Sequence, residues 1–249
     1  MIIKEHIVLM GNKRIHGKLY YRENAKNCGL IICSHGFNGS GNDYDNDCRF
    51  YAGNGYAAYA FDFCGGANTS RSSGSTTEMT VFTEHDELLE IIRQLRELDM
   101  VDKDRVYLVG ASQGGFVSAL AAEDKDSDVK ALALYFPAFI IPEDWRKRLA
   151  GVTDIPDIVE LWGVKLSREY YDVIKDYNTF DHIGKCYKKP VLIMSGDRDE
   201  IVPVSSVEYA ANTAYENGRL VIFKGERHGF SDEGSERARN MILNFFSEN

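Results

Sequence analysis

One short segment limits the folds that this chain can adopt. In the sequence RVYLVGASQGG, residues 105–115, an apolar strand-like run leads directly into a serine enclosed by glycines. The residues after these glycines are mostly small and apolar, as in a helix packed against a sheet. A G-x-S-x-G pattern between a strand and a helix is typical of a sharp turn that lifts the serine hydroxyl clear of the sheet. We therefore expect Ser112 at the tip of such a turn, with Gly110 and Gly114 leaving space beside it.

The rest of the sequence alternates strand-like and helix-like segments. Residues 2–22 alternate apolar and polar side chains around MGNKR, which predicts an antiparallel hairpin. Near-continuous apolar runs, typical of strands that are covered on both faces, then recur between helical patterns. This alternation predicts an α/β protein with a mostly parallel, doubly wound sheet. The later strands are expected within 29–34, 56–63, 105–110, 129–137, 188–199 and 218–230, and the longer helices at 83–98, 204–216 and 235–247.

The alternation stops over residues 138–187, which are aromatic, charged and irregular in pattern. Because strands and helices resume afterwards, we interpret this segment as an insertion that forms a small cap. It follows a predicted strand, so it should lie above the carboxyl edge of the sheet, where sheets of this class bind ligands. A chain of 249 residues suits one domain, so residues 1–249 are expected to form a single domain that includes the cap.

Aromatic residues are concentrated in the predicted cap. Flat rings stack well on an aromatic acyl group, so these residues are candidates for substrate binding. For each of them the alternative is that the ring only packs the cap onto the sheet. Trp162 is the strongest candidate, because it precedes the flexible Gly163 in ELWGV. The candidates are Trp145, Trp162, Tyr170 and Tyr171.

Composition excludes several classes of partner. The formal net charge of −9 argues against nucleic acid and anionic membrane surfaces. No apolar run reaches the ~18 residues of a membrane helix, and the amino terminus lacks a signal-peptide core, so a cytoplasmic protein is expected. The five cysteines form neither a CxxC motif nor a zinc-type cluster with histidine, so we expect no metal. The oligomeric state stays open, with a homodimer among the options.

A serine hydroxyl becomes a good nucleophile only when a base takes its proton. Among six histidines, His228 in KGERHGF directly follows the last predicted strand, which places it at the carboxyl edge of the sheet. A carboxylate must orient that base, and Asp199 in GDRDEIVP follows the preceding strand. Asp197 comes directly after Gly196 and is expected to shape the turn instead. The order Ser, Asp, His is the one expected of this sheet topology.

Acyl transfer also needs hydrogen-bond donors for an oxyanion. The glycine-rich loop CSHGFNGSG, residues 33–41, follows an early predicted strand. We expect the backbone N–H groups of Phe37 and Gln113 to converge on one oxygen atom. His35 is expected to support this loop rather than to act as the base, and Asp62 is expected to be structural.

Five motifs resemble those of the α/β-hydrolase superfamily, and in particular of small bacterial serine esterases similar to cinnamoyl and feruloyl esterases. They are SHGF, FDFCGG, GASQGG, GDRDEIVP and ERHGF, in this order, and they cover roughly residues 30–230. The resemblance implies an α/β-hydrolase fold that needs no metal or organic cofactor. It also implies that Ser112 is the nucleophile, His228 the base and Asp199 its orienting group, with Phe37 and Gln113 as oxyanion donors.

These observations predict a serine carboxylic-ester hydrolase that acts through an acyl-enzyme. Its partner would be a small-molecule ester of a small or aromatic acid, with hydroxycinnamate esters as the specific expectation. Within enzymes, a thioesterase or a monoacylglycerol-type lipase is the alternative. A peptidase of this fold usually has an additional amino-terminal domain, for which this chain has no room. A candidate of another class is a non-catalytic ligand-binding protein on the same fold.

Overall fold

Ten strands and seven α-helices follow one another along the chain in the computed structural model, which describes all residues from 1 to 249. The strands are β1 (Ile2–Met10), β2 (Lys13–Tyr21), β3 (Cys28–Ser34), β4 (Ala57–Phe61), β5 (Val101–Ala111), β6 (Ala131–Tyr135), β7 (Ile158–Leu161), β8 (Val164–Ser167), β9 (Val191–Gly196) and β10 (Gly218–Phe223). The helices are α1 (Asp45–Gly53), α2 (Val81–Leu95), α3 (Ser112–Glu123), α4 (Ile141–Arg148), α5 (Arg168–Asp172), α6 (Val204–Tyr209) and α7 (Asp232–Glu248).

Eight of the strands form one sheet in the order β1-β2-β4-β3-β5-β6-β9-β10. The hairpin β1–β2 is antiparallel and joins β4 in antiparallel orientation, whereas all later neighbours are parallel. Successive residues of β3 belong to different apolar cores, Leu30 and Ile32 to one and Ile31 and Cys33 to the other. The sheet is therefore covered on both faces, and the prediction of a mostly parallel, doubly wound sheet with an opening hairpin is confirmed.

One prediction of local structure was wrong. Residues 204–216 do not form a single α-helix, because α6 ends at Tyr209 and continues as a π-helical turn over Ala210–Ala214. The segment 138–187, whose sequence pattern is irregular, contains α4, α5 and the hairpin β7–β8. This hairpin pairs only with itself, so the segment adds no strand to the main sheet.

The hairpin in the inserted segment turns through two residues, Trp162 and Gly163. Both have positive φ angles, 50° and 79°. Two positive φ angles are typical of the tight turns that join twisted antiparallel strands, and the glycine adopts such an angle without steric cost. The turn holds the Trp162 side chain at the tip of the hairpin. None of the helices in the structure has both the length and the apolar character that crossing a bilayer requires.

An ion pair with a buried carboxylate fixes the loops around the carboxyl end of β4. The Asp62 side chain is fully buried, and its two oxygens accept hydrogen bonds from the Nε, Nη2 and backbone N–H groups of Arg71 at 2.8, 2.9 and 3.0 Å. Oδ1 also accepts the N–H of Gly41 at 2.8 Å, which ties down the glycine-rich loop after β3. Burial raises the pKa of Asp62, but the Arg71 and Gly41 hydrogen bonds outweigh this effect and lower the pKa to about 2. Asp62 has the structural surroundings that the sequence predicts for it.

We predict that Asp62→Asn lowers the free energy of unfolding by about 2 kcal/mol at pH 7, the value that corresponds to the lowered pKa. Because the pKa is lower in the folded state, this stabilisation is fully present above about pH 4 and is lost as the pH falls through about 2. Urea unfolding of both proteins at pH 7 and pH 3 measures the difference, which should shrink to about half at pH 3. An equal difference at both pH values would contradict a role for the ionised carboxylate.

Candidate active site

Ser112 lies at the junction of β5 and α3, where the chain reverses direction sharply. Its φ angle is 51°, a left-handed conformation that non-glycine residues rarely adopt. Glycines make the turn possible, since a Cβ atom on Gly114 would lie 2.2 Å from the carbonyl oxygen of His35. A Cβ atom on Gly110 would lie 2.5 Å from the carbonyl oxygen of Gly114. The structure thus has the strained strand–turn–helix that the sequence predicts.

Three predicted site residues from distant parts of the chain form one hydrogen-bonded series. Ser112 Oγ lies 3.0 Å from His228 Nε2, and His228 Nδ1 lies 2.9 Å from Asp199 Oδ2. The other carboxylate oxygen of Asp199 accepts the N–H groups of Ile201 at 2.9 Å and Val202 at 2.8 Å. The loop after β9 therefore holds the carboxylate in place by its own backbone.

The ionisation of Asp199 determines which nitrogen of the His228 imidazole carries the proton. Burial raises the pKa of Asp199, but the hydrogen bonds from His228, Val202 and Ile201 outweigh it, so the pKa lies below its usual value. An ionised carboxylate has no proton to donate, so Nδ1 of His228 must carry the proton in their hydrogen bond. In the neutral imidazole, Nε2 is then free to accept the proton of Ser112.

Asp197 and His35 have structural partners, as the sequence predicts. Asp197 Oδ1 accepts the N–H of Gly225 at 2.5 Å, and this hydrogen bond joins the loop after β9 to the loop after β10. His35 Nε2 accepts the N–H of Phe63 at 3.0 Å, and its Nδ1 lies 2.7 Å from the carbonyl oxygen of Gly36. Because Nε2 accepts, Nδ1 is the donor, and burial lowers the pKa of this histidine. His35 therefore holds the glycine-rich loop as a neutral imidazole.

The loop that carries His228 has a support that sequence reasoning missed. The carboxylate of Glu226 accepts the N–H of Ser231 at 2.7 Å and its hydroxyl at 2.6 Å, which closes the loop on itself. The ring of Phe136 lies 4.5 Å from the imidazole of His228, centroid to centroid. The only sign of this support in the sequence is that Glu226 precedes His228 and Ser231 follows it.

The two predicted oxyanion donors line one cavity with the serine. Phe37, Ser112 and Gln113 all border a cavity of about 190 Å³, which we call the smaller cavity. The N–H of Phe37 donates to no other group of the protein. The N–H of Gln113 belongs to the first turn of α3, and such groups have no acceptor within their own helix. Both N–H groups are thus available to a bound oxygen atom.

The side chain of Gln113 connects the site to the inserted segment. Its amide oxygen accepts the hydroxyl of Tyr170 at 2.6 Å, and its amide nitrogen donates to Glu84 Oε2 at 2.9 Å. All three side chains are buried, and burial raises the pKa of Glu84 well above its usual range. Sequence reasoning missed Glu84, because nothing in its helical pattern separates it from the exposed acidic residues of α2.

Two cavities meet at Ser112. The larger cavity has a volume of about 500 Å³ and also contains His228, whereas the smaller cavity extends under the inserted segment. Four residues line both of them: Phe37, Ser112, Trp162 and Ile201. Within the whole chain, no group of three or more His, Cys, Asp or Glu side chains is arranged to hold a metal ion.

The four aromatic candidates have different surroundings. Trp162 is 59% exposed, packs edge-on against Phe37 and borders both cavities. Trp145 and Tyr170 are buried and line the smaller cavity. Tyr171 lines neither cavity and packs against Trp145, with ring centroids 6.5 Å apart. The surroundings of Tyr171 thus favour the packing interpretation for this ring, and its contact with substrate stays a prediction.

Known proteins resemble this chain in sequence and in structure. Residues 42–249 match the sequence profile of the prolyl oligopeptidase family. Acylamino-acid-releasing enzyme 1 of Oryza sativa subsp. japonica is 26% identical over 153 residues, which is 55% of this chain and 19% of that protein. The chain spans 19% to 39% of the length of the curated relatives that it matches.

Two solved structures show the same fold. Est1E from Butyrivibrio proteoclasticus with ferulic acid bound has a TM-score of 0.87 and 29% identity, and the match covers 98% of each chain. A monoacylglycerol lipase from Paleococcus ferrophilus has a TM-score of 0.71 and 18% identity over 94% of this chain and 99% of that one. The α/β-hydrolase fold and the resemblance to feruloyl esterases are thus confirmed. Because the family profile matches most of this chain, residues 42–249, the chain belongs to the prolyl oligopeptidase family of α/β hydrolases.

Proposed function

We propose that this protein is a serine hydrolase that cleaves carboxylic esters of small or aromatic acids, of the hydroxycinnamate type, through an acyl-enzyme. One observation carries the proposal: Asp199, His228 and Ser112 form an unbroken hydrogen-bonded series whose serine lies where two cavities meet. A hydrolase of this kind needs a nucleophile with its base, and separate space for the two halves of the substrate.

In the first step, Ser112 Oγ attacks the carbonyl carbon of the ester while its proton passes to Nε2 of His228. Asp199 stabilises the imidazolium that forms. The negative charge moves to the former carbonyl oxygen, which accepts hydrogen bonds from the N–H groups of Phe37 and Gln113. One such donor contributes ~3 kcal/mol to transition-state stabilisation.

The tetrahedral intermediate then collapses. The bond between carbon and the alcohol oxygen breaks, and that oxygen takes the proton from His228 Nε2, so the alcohol leaves neutral. A water molecule next gives its proton to His228 and attacks the acyl-enzyme. Release of Ser112 Oγ with the returned proton yields the free acid and restores the enzyme. Every proton transfer in this reaction uses Nε2 of His228.

The smaller cavity favours a short or flat acyl group. Its volume is about 190 Å³, and apolar side chains make up most of its wall. Trp145 and Tyr170 place aromatic rings along it, and Trp162 lies at its opening. The Est1E structure with bound ferulic acid supports an aromatic acyl group, since that chain is similar to this one over nearly its whole length.

Family membership favours a second candidate, the cleavage of an amide bond that releases an N-acylated amino acid. The same serine, histidine and oxyanion donors serve amide hydrolysis, and the match to acylamino-acid-releasing enzyme 1 supports it. A matched pair of substrates, a p-nitrophenyl ester and a p-nitroanilide of the same acyl group, separates the two reactions. Ester hydrolysis predicts cleavage of the first and little or none of the second.

Three activity measurements distinguish the proposed esterase from a lipase, a thioesterase and a non-catalytic binding protein. A series of acyl chains from acetate to palmitate distinguishes a lipase, which improves with chain length, from the proposed esterase, which declines. A thioester of the same acyl group identifies a thioesterase. A non-catalytic binding protein would not react with a serine-directed phosphonate, whereas the proposed enzyme becomes labelled at Ser112.

We predict that Ser112→Ala reduces kcat/KM for ester hydrolysis to less than a hundredth of the wild-type value and abolishes phosphonate labelling. His228→Ala should lose a comparable amount, because the residues of a triad act as a unit. Circular dichroism and the Tm should stay close to wild type, since Ser112→Ala removes one hydroxyl and keeps Cβ. Activity above a hundredth of wild type would remove Ser112 from the nucleophile role.

We predict that Asp199→Asn lowers kcat at least a hundredfold more than Asp197→Asn. The amide of the first variant cannot stabilise the imidazolium and can favour the wrong imidazole tautomer. Asp197 is the matched control, because it lies two residues away and bonds the turn at Gly225 instead of the histidine. The reverse ranking of the two variants would show that Asp197, and not Asp199, orients the base.

We predict that Trp162→Ala lowers kcat/KM for a hydroxycinnamate ester at least fivefold and for an acetate ester less than twofold. A ring stacked on an aromatic acyl group contributes ~1 kcal/mol beyond the area that it buries, and acetate offers no ring. Tyr171→Ala is the control, since it removes a ring of the inserted segment that lines neither cavity. Equal losses on both esters, together with a lower Tm, would show that Trp162 serves only in packing.

A further inference from the structure

Three buried polar side chains form a network beside the nucleophile, and the proposed reaction steps use none of these side chains. The amide nitrogen of Gln113 donates to Glu84 Oε2 at 2.9 Å, and the amide oxygen accepts the hydroxyl of Tyr170 at 2.6 Å. The exposed fraction is 1% for Glu84 and 2% for each of the other two residues. The amide nitrogen also lies 3.6 Å from the sulfur of Met79. The Gln113 amide therefore has protein partners for both its oxygen and its nitrogen.

The network joins three separate elements at the residue that follows the nucleophile. Glu84 belongs to α2, Gln113 to the first turn of α3, and Tyr170 to α5 in the inserted segment. A buried polar group that loses its partner is costly, so each hydrogen bond opposes any movement of the two elements apart. Gln113 is therefore held both by a helix of the core and by the segment that covers the site.

An oxyanion donor needs such support because its own N–H cannot supply it. The N–H of Gln113 must stay free for the substrate oxygen, and the first N–H groups of a helix have no acceptor within that helix. The preceding residue, Ser112, has a strained φ angle of 51°, and such a conformation persists only where surrounding contacts hold it. One of these contacts is the N–H of Ala138, which donates to the carbonyl oxygen of Ser112 at 2.9 Å. The two hydrogen bonds of the Gln113 side chain are further contacts of this kind.

The surroundings of Glu84 favour a role as hydrogen-bond acceptor over a role as a charge. No lysine, arginine or histidine forms an ion pair with Glu84, whereas Glu87, three residues further along α2, pairs with Lys13 at 2.9 Å. Burial and the neighbouring Glu87 raise the pKa of Glu84 well above its usual range. A neutral side chain of the same shape that offers an oxygen acceptor should therefore replace it, and glutamine is such a side chain.

We propose that Glu84 and Tyr170 are positioning residues, which act through the side chain of Gln113 to hold its backbone N–H in place for the oxyanion. This inference rests on the proposed ester hydrolysis and adds Glu84, which lines neither cavity of the site. It also separates the two parts of Tyr170, since the ring borders the smaller cavity while the hydroxyl bonds Gln113. Because every ester needs the oxyanion donors, loss of either hydrogen bond should slow all esters alike, whatever their acyl group.

The first test compares p-nitrophenyl acetate with the p-nitrophenyl ester of a hydroxycinnamic acid. Tyr170→Phe removes one hydroxyl and should lower kcat at least fivefold on both esters, with each KM within twofold of wild type, since a small misplacement of a catalytic group is costly. Glu84→Leu should do the same, whereas Glu84→Gln should keep at least half of the wild-type kcat. The control is Tyr187→Phe, because the Tyr187 hydroxyl is buried at the end of the inserted segment without a hydrogen-bond partner. This control should keep kcat within twofold of wild type on both esters.

A thiono ester gives a measurement that a merely structural role would not change. Sulfur accepts hydrogen bonds more weakly than oxygen, so replacing the carbonyl oxygen of the acetate ester by sulfur removes much of what the oxyanion donors contribute. The ratio of kcat/KM for the oxygen ester to that for the thiono ester therefore reports the alignment of these donors. This ratio should fall at least fivefold in Tyr170→Phe and Glu84→Leu, and it should stay within twofold of wild type in Glu84→Gln and Tyr187→Phe.

A double-variant series shows whether Tyr170 acts through Gln113. The variant Gln113→Met keeps the backbone N–H and removes the amide that the Tyr170 hydroxyl bonds. In this background, the further change Tyr170→Phe should lower kcat less than twofold. If the hydroxyl instead acts independently of Gln113, the two losses should multiply, because independent effects on the free energy add.

The outcomes separate this inference from the proposal on which it rests. If wild-type enzyme cleaves neither nitrophenyl ester, the proposed function fails. If Tyr170→Phe is slowed only on the hydroxycinnamate ester, the hydroxyl contacts substrate, and the positioning role is overturned while ester hydrolysis stands. An unchanged ratio of oxygen to thiono ester, or multiplied losses in the Gln113→Met background, overturns it as well. Tyr170→Phe removes a single oxygen atom, so its result decides the question if Glu84→Leu fails to fold.

Discussion

The left-handed backbone of Ser112 is the constraint on which the rest of the site depends. A φ angle of 51° aims the side chain away from the sheet, but it also brings the start of α3 against the loop after β3. The contact is so close that a Cβ atom on Gly36 would lie 3.1 Å from that of Ser112. The same turn therefore exposes the hydroxyl and brings the glycine-rich loop with Phe37 beside it. One strained residue places two parts of the site at once.

Carboxylates hold the loops around the site. Asp62 secures the glycine-rich loop through Gly41, and Glu226 closes the loop of His228. At the far end of α3, Glu123 accepts the backbone N–H groups of residues 184–187, where the inserted segment returns to the sheet. Helix α3 thus begins with Ser112 and ends by anchoring the segment that covers it. Carboxylates suit this task because one group accepts several backbone hydrogen bonds from a loop that has no regular structure of its own.

The sequence predicts the residues whose positions follow from strand order, and it fails where tertiary contacts decide. His228 and Asp199 could be chosen because parallel strands bring the loops after β9 and β10 to one edge. The hairpin β7–β8 was missed, although Trp162-Gly163 is a two-residue turn, because its strands have only four residues each and no sheet to join. Tyr170 and Tyr171 are adjacent and chemically identical, so no sequence pattern could show that only Tyr170 reaches Gln113.

Gln113 explains how the inserted segment can affect chemistry as well as specificity. Its backbone N–H is the proposed oxyanion donor, while its side chain bonds Tyr170 of the inserted segment and Glu84 of α2. Because all three side chains are buried, loss of either partner leaves a polar group without a hydrogen bond in the core, and such a group costs ~1–3 kcal/mol. The inserted segment is thus fixed to the residue that we propose as an oxyanion donor.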